Sequence, residues 1–158
     1  ANVFLAYFNA ESDRVTTLDQ LFEEVQKDNQ RRIVTSVVSI TEVSHVAAEK
    51  ARSRLDQKTY EAIDGFWGDS SLIEFVDFNE LIARQARDLI RQAITLKYAL
   101  RTNDAIHLIS AQFVGVAECF TYDKKLHKFS SIVGYDIREP YVSSPKLPLV
   151  FPDDPEDS

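Results

Sequence analysis

Hydrophobic residues recur along the chain at two spacings, one typical of helices and the other of buried strands. Helical spacing predicts amphipathic helices over residues 18–25, 40–55, 59–67, 81–96 and 104–114. Short runs of β-branched and aromatic residues predict strands over residues 33–38, 72–78, 117–121 and 135–137. Strands that alternate with helices form a mostly parallel sheet with helices on both faces. The pattern therefore predicts a three-layer α/β/α fold around a mostly parallel central sheet.

Prolines and glycines divide the chain into a body and a tail. All five prolines lie after residue 139, and the whole chain holds only four glycines. We therefore predict one domain over residues 1–139, followed by an extended, proline-rich acidic tail over residues 140–158. A chain of 158 residues, 44% of them apolar, is long enough for one hydrophobic core.

Composition and charge exclude several classes of protein. No apolar run approaches the roughly 20 residues that span a bilayer, and the first residues lack a signal-peptide pattern. The single cysteine, Cys119, cannot form an intrachain disulfide, which indicates a reducing cytoplasm. A formal net charge of −7 does not fit binding of nucleic acid through a broad basic face. Any contact with nucleic acid is therefore expected to be local or assisted by cations.

Acidic residues stand where a parallel sheet places its ligands, beyond the carboxyl ends of strands. Glu42 follows the strand predicted at 33–38, Asp123 follows the strand predicted at 117–121, and Asp104 opens a predicted helix. Carboxylates gathered at one edge repel one another unless a cation neutralises them. A hard divalent ion with oxygen ligands meets this need, and Mg²⁺ or Mn²⁺ suits such ligands better than zinc does.

Each acid also has a purely structural explanation. Ser39 and Glu42 have the spacing of a capping box, in which Glu42 would satisfy a backbone N–H group. Asp104 in a first helical turn is favoured by the helix dipole, and Asp123 could cap the segment that follows it. Both explanations stay open for each residue taken alone. A meeting of all three at one edge would favour the cation.

Histidine spacing argues against zinc. His45, His107 and His127 lack the closely spaced His or Cys partners of zinc sites. His107 is expected to pack behind Asp104, and Trp67 to anchor the core or an interface.

Two late segments, 103–111 (NDAIHLISA) and 120–126 (FTYDKKL), closely resemble the third and fourth motifs of PIN domains. Among PIN domains they are most similar to the VapC-type ribonuclease toxins of toxin–antitoxin pairs. Residues 33–43 (IVTSVVSITEV) resemble the second motif, with Glu42 as its acid. The resemblance covers residues 1 to about 138.

Residues 1–7 (ANVFLAY) resemble the first motif of the family without its aspartate. In the family that aspartate ends the first, central strand, which would lie just upstream of Ala1. Either this strand and its acid are missing from the sequence, or residues 1–5 have a different role in this protein. The absence of any methionine favours a sequence trimmed upstream, so the central sheet is expected to lack its first strand.

The resemblance implies Mg²⁺- or Mn²⁺-dependent hydrolysis of phosphodiester bonds in RNA. Glu42, Asp104 and Asp123 would hold one or two ions together with water. Thr121 corresponds to the hydroxyl position of the family and would hydrogen-bond the attacking water or an acid. Asn2 would brace the first acid, where that acid exists.

The resemblance also implies partners. Arg101, Lys124 and Lys125 flank the acids and could contact RNA phosphates, although they could equally form a solvated helix face. A toxin of this family would be neutralised by an antitoxin protein and would form a homodimer, with the helix at 81–96 as a contributor.

Two other functions remain open at this point. The first is a non-catalytic PIN-like module that binds RNA or a partner protein with an incomplete acid set. The second is a phospho-acceptor signalling domain, which would need a doublet of acids after the first strand and a lone lysine after a late one. The sequence shows neither pattern convincingly.

Overall fold

The computed structural model describes residues 1–143, which contain eight α-helices, one 3₁₀-helix and four strands. The helices are α1 (Asn2–Phe8), α2 (Val15–Lys27), α3 (Val38–Glu42), α4 (Ala47–Arg52), α5 (Gln57–Trp67), α6 (Glu80–Thr95), α7 (Thr102–Val114) and α8 (Ser130–Val133), with the 3₁₀-helix at Lys124–Phe129. The strands are β1 (Ile33–Ser36), β2 (Ile73–Val76), β3 (Glu118–Phe120) and β4 (Asp136–Arg138). Most of the tail predicted over 140–158 lies outside the described residues.

Local signals in the sequence set the ends of the longer helices. The Asn79 side chain accepts a hydrogen bond of 3.0 Å from the Ile82 amide and so caps the start of α6. Gly115 ends α7 in the left-handed region at φ 71°, which glycine adopts without steric cost. These signals fix where α6 begins and where α7 ends, and Asp104 stands in the first turn of α7.

The helix predicted over 40–55 is wrong as one element, because the structure divides it into α3 and α4. The chain leaves the helical conformation at Val43, whose side chain is fully buried. The carboxylate of Glu49 accepts hydrogen bonds from the amides of Val46 and Asp56, which fixes the start of α4 and the turn after it. Tertiary burial at Val43 therefore overrides a continuous helical pattern.

Side chains that alternate along the strands pack against helices on both faces of the sheet. Ile33 of β1 and Phe75 of β2 pack against α1, α2 and α5, in a core that also contains Trp67. Val34 and Val76, the next residues along each strand, pack on the opposite face against α6 and α7. Helices thus cover both faces of the strands, and the predicted three-layer α/β/α class is confirmed.

All strand pairing among residues 1–143 is parallel, but it falls into two separate pairs. Strand β1 pairs with β2, with Ile33 opposite Ile73, and β3 pairs with β4, with Cys119 opposite Ile137. Residues 1–5 form no strand, because Asn2–Phe8 is α1. A cavity of about 760 Å³ is lined by β1 on one side and by β3 on the other. The strands therefore form two separate pairs, and this cavity lies between them.

Candidate metal centre

The three predicted acids line this large cavity. Glu42 is the last residue of α3, shortly after β1, and Asp104 stands in the first turn of α7. Asp123 follows β3 and caps the 3₁₀-helix by accepting a hydrogen bond of 3.0 Å from the Lys125 amide. Residues that lie far apart in the chain are thus gathered around one space.

The Glu42 carboxylate is held by two side chains of α7. Asn103 Nδ2 donates to Oε1 at 3.0 Å, and His107 Nε2 lies 2.5 Å from Oε2. The predicted capping box is wrong, since α3 begins at the N-cap Val37 and the Ser39 hydroxyl is 2.6 Å from the hydroxyl of Thr35. His107 therefore contacts Glu42, where the sequence predicted that it would pack behind Asp104.

Burial and hydrogen bonding act in opposite directions on Glu42. Burial by itself would raise the pKa of this carboxyl. The hydrogen bond and charge of His107, followed by the hydrogen bond from Asn103, outweigh burial and leave the pKa below its ordinary value. Glu42 is thus held as a carboxylate.

Asp104 is in the opposite situation. Burial raises the pKa of Asp104, and the negative charges of Asp123 and Glu42 raise it further. The guanidinium of Arg101, which lines the same cavity, opposes this rise without cancelling it. A site that disfavours the charge of one of its own carboxylates is a site that a cation would stabilise.

Thr121 is the centre of a small hydrogen-bond network beside the acids. Its buried hydroxyl accepts from Asn2 Nδ2 at 2.9 Å and from the Asp123 amide at 3.1 Å. Asn2 Oδ1 accepts in turn from the Tyr122 amide at 3.3 Å. Asn2 therefore fixes the segment that carries Asp123.

The three residues predicted to contact RNA do not lie together in the structure. Arg101 lies with the acids at the large cavity. Lys124 pairs with Glu139 at 3.6 Å and lines a second cavity, while Lys125 is exposed on the 3₁₀-helix. Of these three cations, only Arg101 shares the lining of the acid-lined cavity.

The donor chemistry fits a hard divalent ion with few direct protein ligands. Within residues 1–143, no group of three or more His, Cys, Asp or Glu side chains is arranged to hold a metal ion. Mg²⁺ commonly takes one or two carboxylates and keeps several waters, so it does not need three direct ligands. Asp104 and Asp123, which repel each other, are the carboxylates best suited to this role.

Sequence reasoning missed Asn103 and assigned His107 to the wrong acid, Asp104 in place of Glu42. Asn103 and His107 stand four positions apart on α7, and that spacing places them on one helix face. The spacing was visible in the sequence. Their partner was not, because Glu42 lies on α3, 61 residues before Asn103.

The family model of the PIN domain matches residues 1–132. The chain belongs to the PIN-domain family. PIN domains are generally metal-dependent nucleases that act on nucleic acid. Searches of curated proteins and of solved structures gave no match. Among residues 1–143, no helix has the length and apolar character needed to cross a membrane.

The matched region of this PIN domain contains every side chain of the site. It runs from α1 through the 3₁₀-helix, so that it includes the three acids and Thr121. The acid-lined cavity and strands β1, β2 and β3 lie within it, while β4 follows it.

Proposed function

We propose that this PIN domain is a Mg²⁺- or Mn²⁺-dependent endoribonuclease that hydrolyses phosphodiester bonds in RNA. The observation that supports this most directly is the lining of one cavity by Glu42, Asp104 and Asp123. The raised pKa of Asp104, caused by burial and by its acidic neighbours, indicates a place for a cation.

Asp104 and Asp123 are the residues proposed to hold the ion directly. When bound, the metal lowers the pKa of a coordinated water and stabilises negative charge on the scissile phosphate. Glu42 completes the acid set, and its orientation is fixed by Asn103 and His107. Each Glu42 oxygen accepts one hydrogen bond and keeps a further lone pair, so this carboxylate can bind the ion directly or through a water.

Thr121 and Arg101 are proposed to act on the substrate side. The Thr121 hydroxyl accepts two hydrogen bonds and keeps its own proton, which it can donate to an Asp123 oxygen or to the attacking water. Arg101 places a permanent positive charge beside the acids, where it can bind a phosphate next to the scissile one. Lys124 and Lys125 lie further out and are proposed to contact the RNA chain.

We also propose that the enzyme is the toxin of a cytoplasmic toxin–antitoxin pair. The late motifs, which resemble those of VapC-type toxins, support this role. A cognate antitoxin would place a basic or aromatic segment in the acid-lined cavity. A homodimer would cover apolar side chains of α6, where Leu81 is 51% and Ile94 70% exposed.

Cleavage of labelled RNA with Mn²⁺ tests the proposed activity. The wild-type protein is compared with Asp104→Asn and with the matched control Asp64→Asn, an exposed acid on α5. We expect equal cleavage by the wild type and the control, at least 100-fold slower cleavage by Asp104→Asn, and none in EDTA. Cleavage that persists in Asp104→Asn would remove this residue from the mechanism.

A second function, a non-catalytic module that binds RNA or a partner protein, has one observation in its favour. Within residues 1–143 no three ligand side chains are already arranged around a common metal position. Binding of RNA in EDTA, together with no cleavage of varied substrates in Mn²⁺, would favour this second function.

A further inference from the structure

A second cavity, of about 400 Å³, adjoins the segment that carries Asp123. In contrast to the large cavity, charged and hydroxyl-bearing side chains make up most of its lining. The lining residues are Asp13, Arg14, Thr17, Tyr122, Lys124, Glu139 and Pro140.

The backbone after β3 separates the two cavities. Thr121 and Asp123 line the large, acid-lined cavity, while Tyr122 and Lys124 line the second one. Tyr122 and Asp123 are adjacent in the chain, with Cα atoms about 3.8 Å apart, so the second cavity lies close to the acid-lined one. The second cavity is therefore placed to take a group next to the reacting phosphate.

A cation–π pair, Arg14 and Tyr122, lines the second cavity. The guanidinium of Arg14 lies over the ring of Tyr122, 4.1 Å from the ring centroid. Glu11 Oε2 accepts a hydrogen bond of 2.5 Å from Arg14 and fixes the guanidinium in place. Aromatic rings and guanidinium planes are the surfaces on which proteins stack unpaired RNA bases.

The charges of the lining favour a base over a phosphate. Arg14 and Lys124 contribute two positive charges, and Asp13 and Glu139 contribute two negative charges. A lining without net charge is suited to a neutral heterocycle. Asp13 and Glu139 pair with Arg14 and Lys124 at 3.6 Å each. Because ionised carboxylates only accept hydrogen bonds, their remaining lone pairs would favour a base that presents amino groups, and guanine offers two adjacent donors.

We propose that the second cavity binds an unpaired, amino-bearing base of the RNA substrate, guanine in preference to uracil, beside the scissile phosphate. This inference rests on the proposed ribonuclease function. It makes Tyr122, Arg14 and Glu139 determinants of sequence preference and assigns them no part in the hydrolysis itself.

Binding of mononucleotides tests the base site without any turnover. GMP and UMP are titrated into Asp104→Asn by calorimetry, alone and combined with Tyr122→Leu or the milder Glu139→Gln. We expect GMP to bind at least fivefold more tightly than UMP, and both added substitutions to reduce this ratio to below two. Tyr60→Leu, at a tyrosine that is 61% exposed on α5 and lines neither cavity, is the matched control and should keep the ratio.

A second experiment tests sequence preference during turnover, by cleavage of a randomised RNA pool with protein that retains Asp104. We expect the protein to prefer guanine next to the cleaved bond. Tyr122→Leu should remove this preference, and Tyr60→Leu should retain it. Equal binding of GMP and UMP, or a preference that survives Tyr122→Leu, would overturn the inference. A GMP preference that depends on Tyr122 in a protein that cleaves no RNA would leave the base site standing and reject the nuclease.

Discussion

His107 Nε2 lies 2.5 Å from Glu42 Oε2 and joins α7 to the end of α3 across 65 positions of the chain. Because an ionised carboxylate only accepts hydrogen bonds, Nε2 carries the hydrogen. Both side chains are largely buried, with 17% of His107 and 24% of Glu42 exposed. The pair thus fixes one proposed acid of the site from the helix that carries another, Asp104.

Substituting His107 by phenylalanine should weaken both the fold and the binding of metal. Removal of a hydrogen bond to a charged, part-buried partner costs roughly 1–3 kcal/mol of unfolding free energy. Loss of a residue that orients a metal-binding carboxylate commonly lowers metal affinity by about 10–100-fold. Urea denaturation and calorimetric titration with Mn²⁺ measure the two effects. His45→Phe is the control, because His45 bonds its neighbour Ser44 and lies outside the large cavity. Equal losses in both variants would contradict a specific role for His107.

Asp104→Asn should stabilise the metal-free protein while abolishing its stabilisation by Mg²⁺. The raised pKa of Asp104, caused by burial and then by repulsion from Asp123 and Glu42, shows that its charge is unfavourable in the folded state. We therefore expect the melting temperature without metal to rise in Asp104→Asn. In the wild type, Mg²⁺ at 100 times its Kd should add about 2.7 kcal/mol. Thermal scans with EDTA or Mg²⁺ measure both effects, and a Mg²⁺ response that survives in Asp104→Asn would refute the assignment.

Cys119 should make the stability of the fold fall at alkaline pH. Burial raises the pKa of this thiol from 9.0 to about 11. A pKa that is raised by folding means that the folded state holds the proton longer, so stability is lost as pH rises from 9 to about 11. The loss should approach roughly 1 kcal/mol for each pH unit in that window. Chemical denaturation of the wild type and of Cys119→Ala isolates the effect, because tyrosines and lysines titrate in both proteins. If the free energy of unfolding depended on pH in the same way in both proteins, the pKa of the thiol would not be raised by folding.

An added strand ahead of Ala1 should insert between the two strand pairs. Ile33 donates its amide hydrogen to Leu72 and Thr121 donates to Arg138, so the alternating amides of Val34 and Phe120 point to the opposite edges, at the large cavity. A six-residue β-branched extension (Lys-Ile-Val-Val-Ile-Thr) should raise the melting temperature and slow hydrogen exchange at these two amides by at least tenfold. An extension of the same length made of Gly and Ser is the control. Equal exchange in both extended proteins would mean that the cavity does not accept a strand.

Sequence reasoning found the acids but not what holds them. Glu42, Asp104 and Asp123 could be selected because they follow strands or open a helix, positions where parallel sheets bind ligands. The contacts of Glu42 with Asn103 and His107 depend on how α3 sits against α7, and no local pattern encodes that packing. For the same reason the capping box looked plausible from its spacing. In the structure Ser39 is instead engaged by Thr35.

The sequence by itself determined the layered α/β class, the four longest helices, the approximate positions of the four strands, and the residue types of the acid cluster. These follow from hydrophobic period and from local caps, which act over a few residues. Only the tertiary structure decided that the helix pattern breaks at Val43, that the strands form two separate pairs, and that Arg101 faces the acids while Lys124 faces the second cavity. Such features arise from burial and charge between segments distant in the chain, whose relative placement no short stretch of sequence contains.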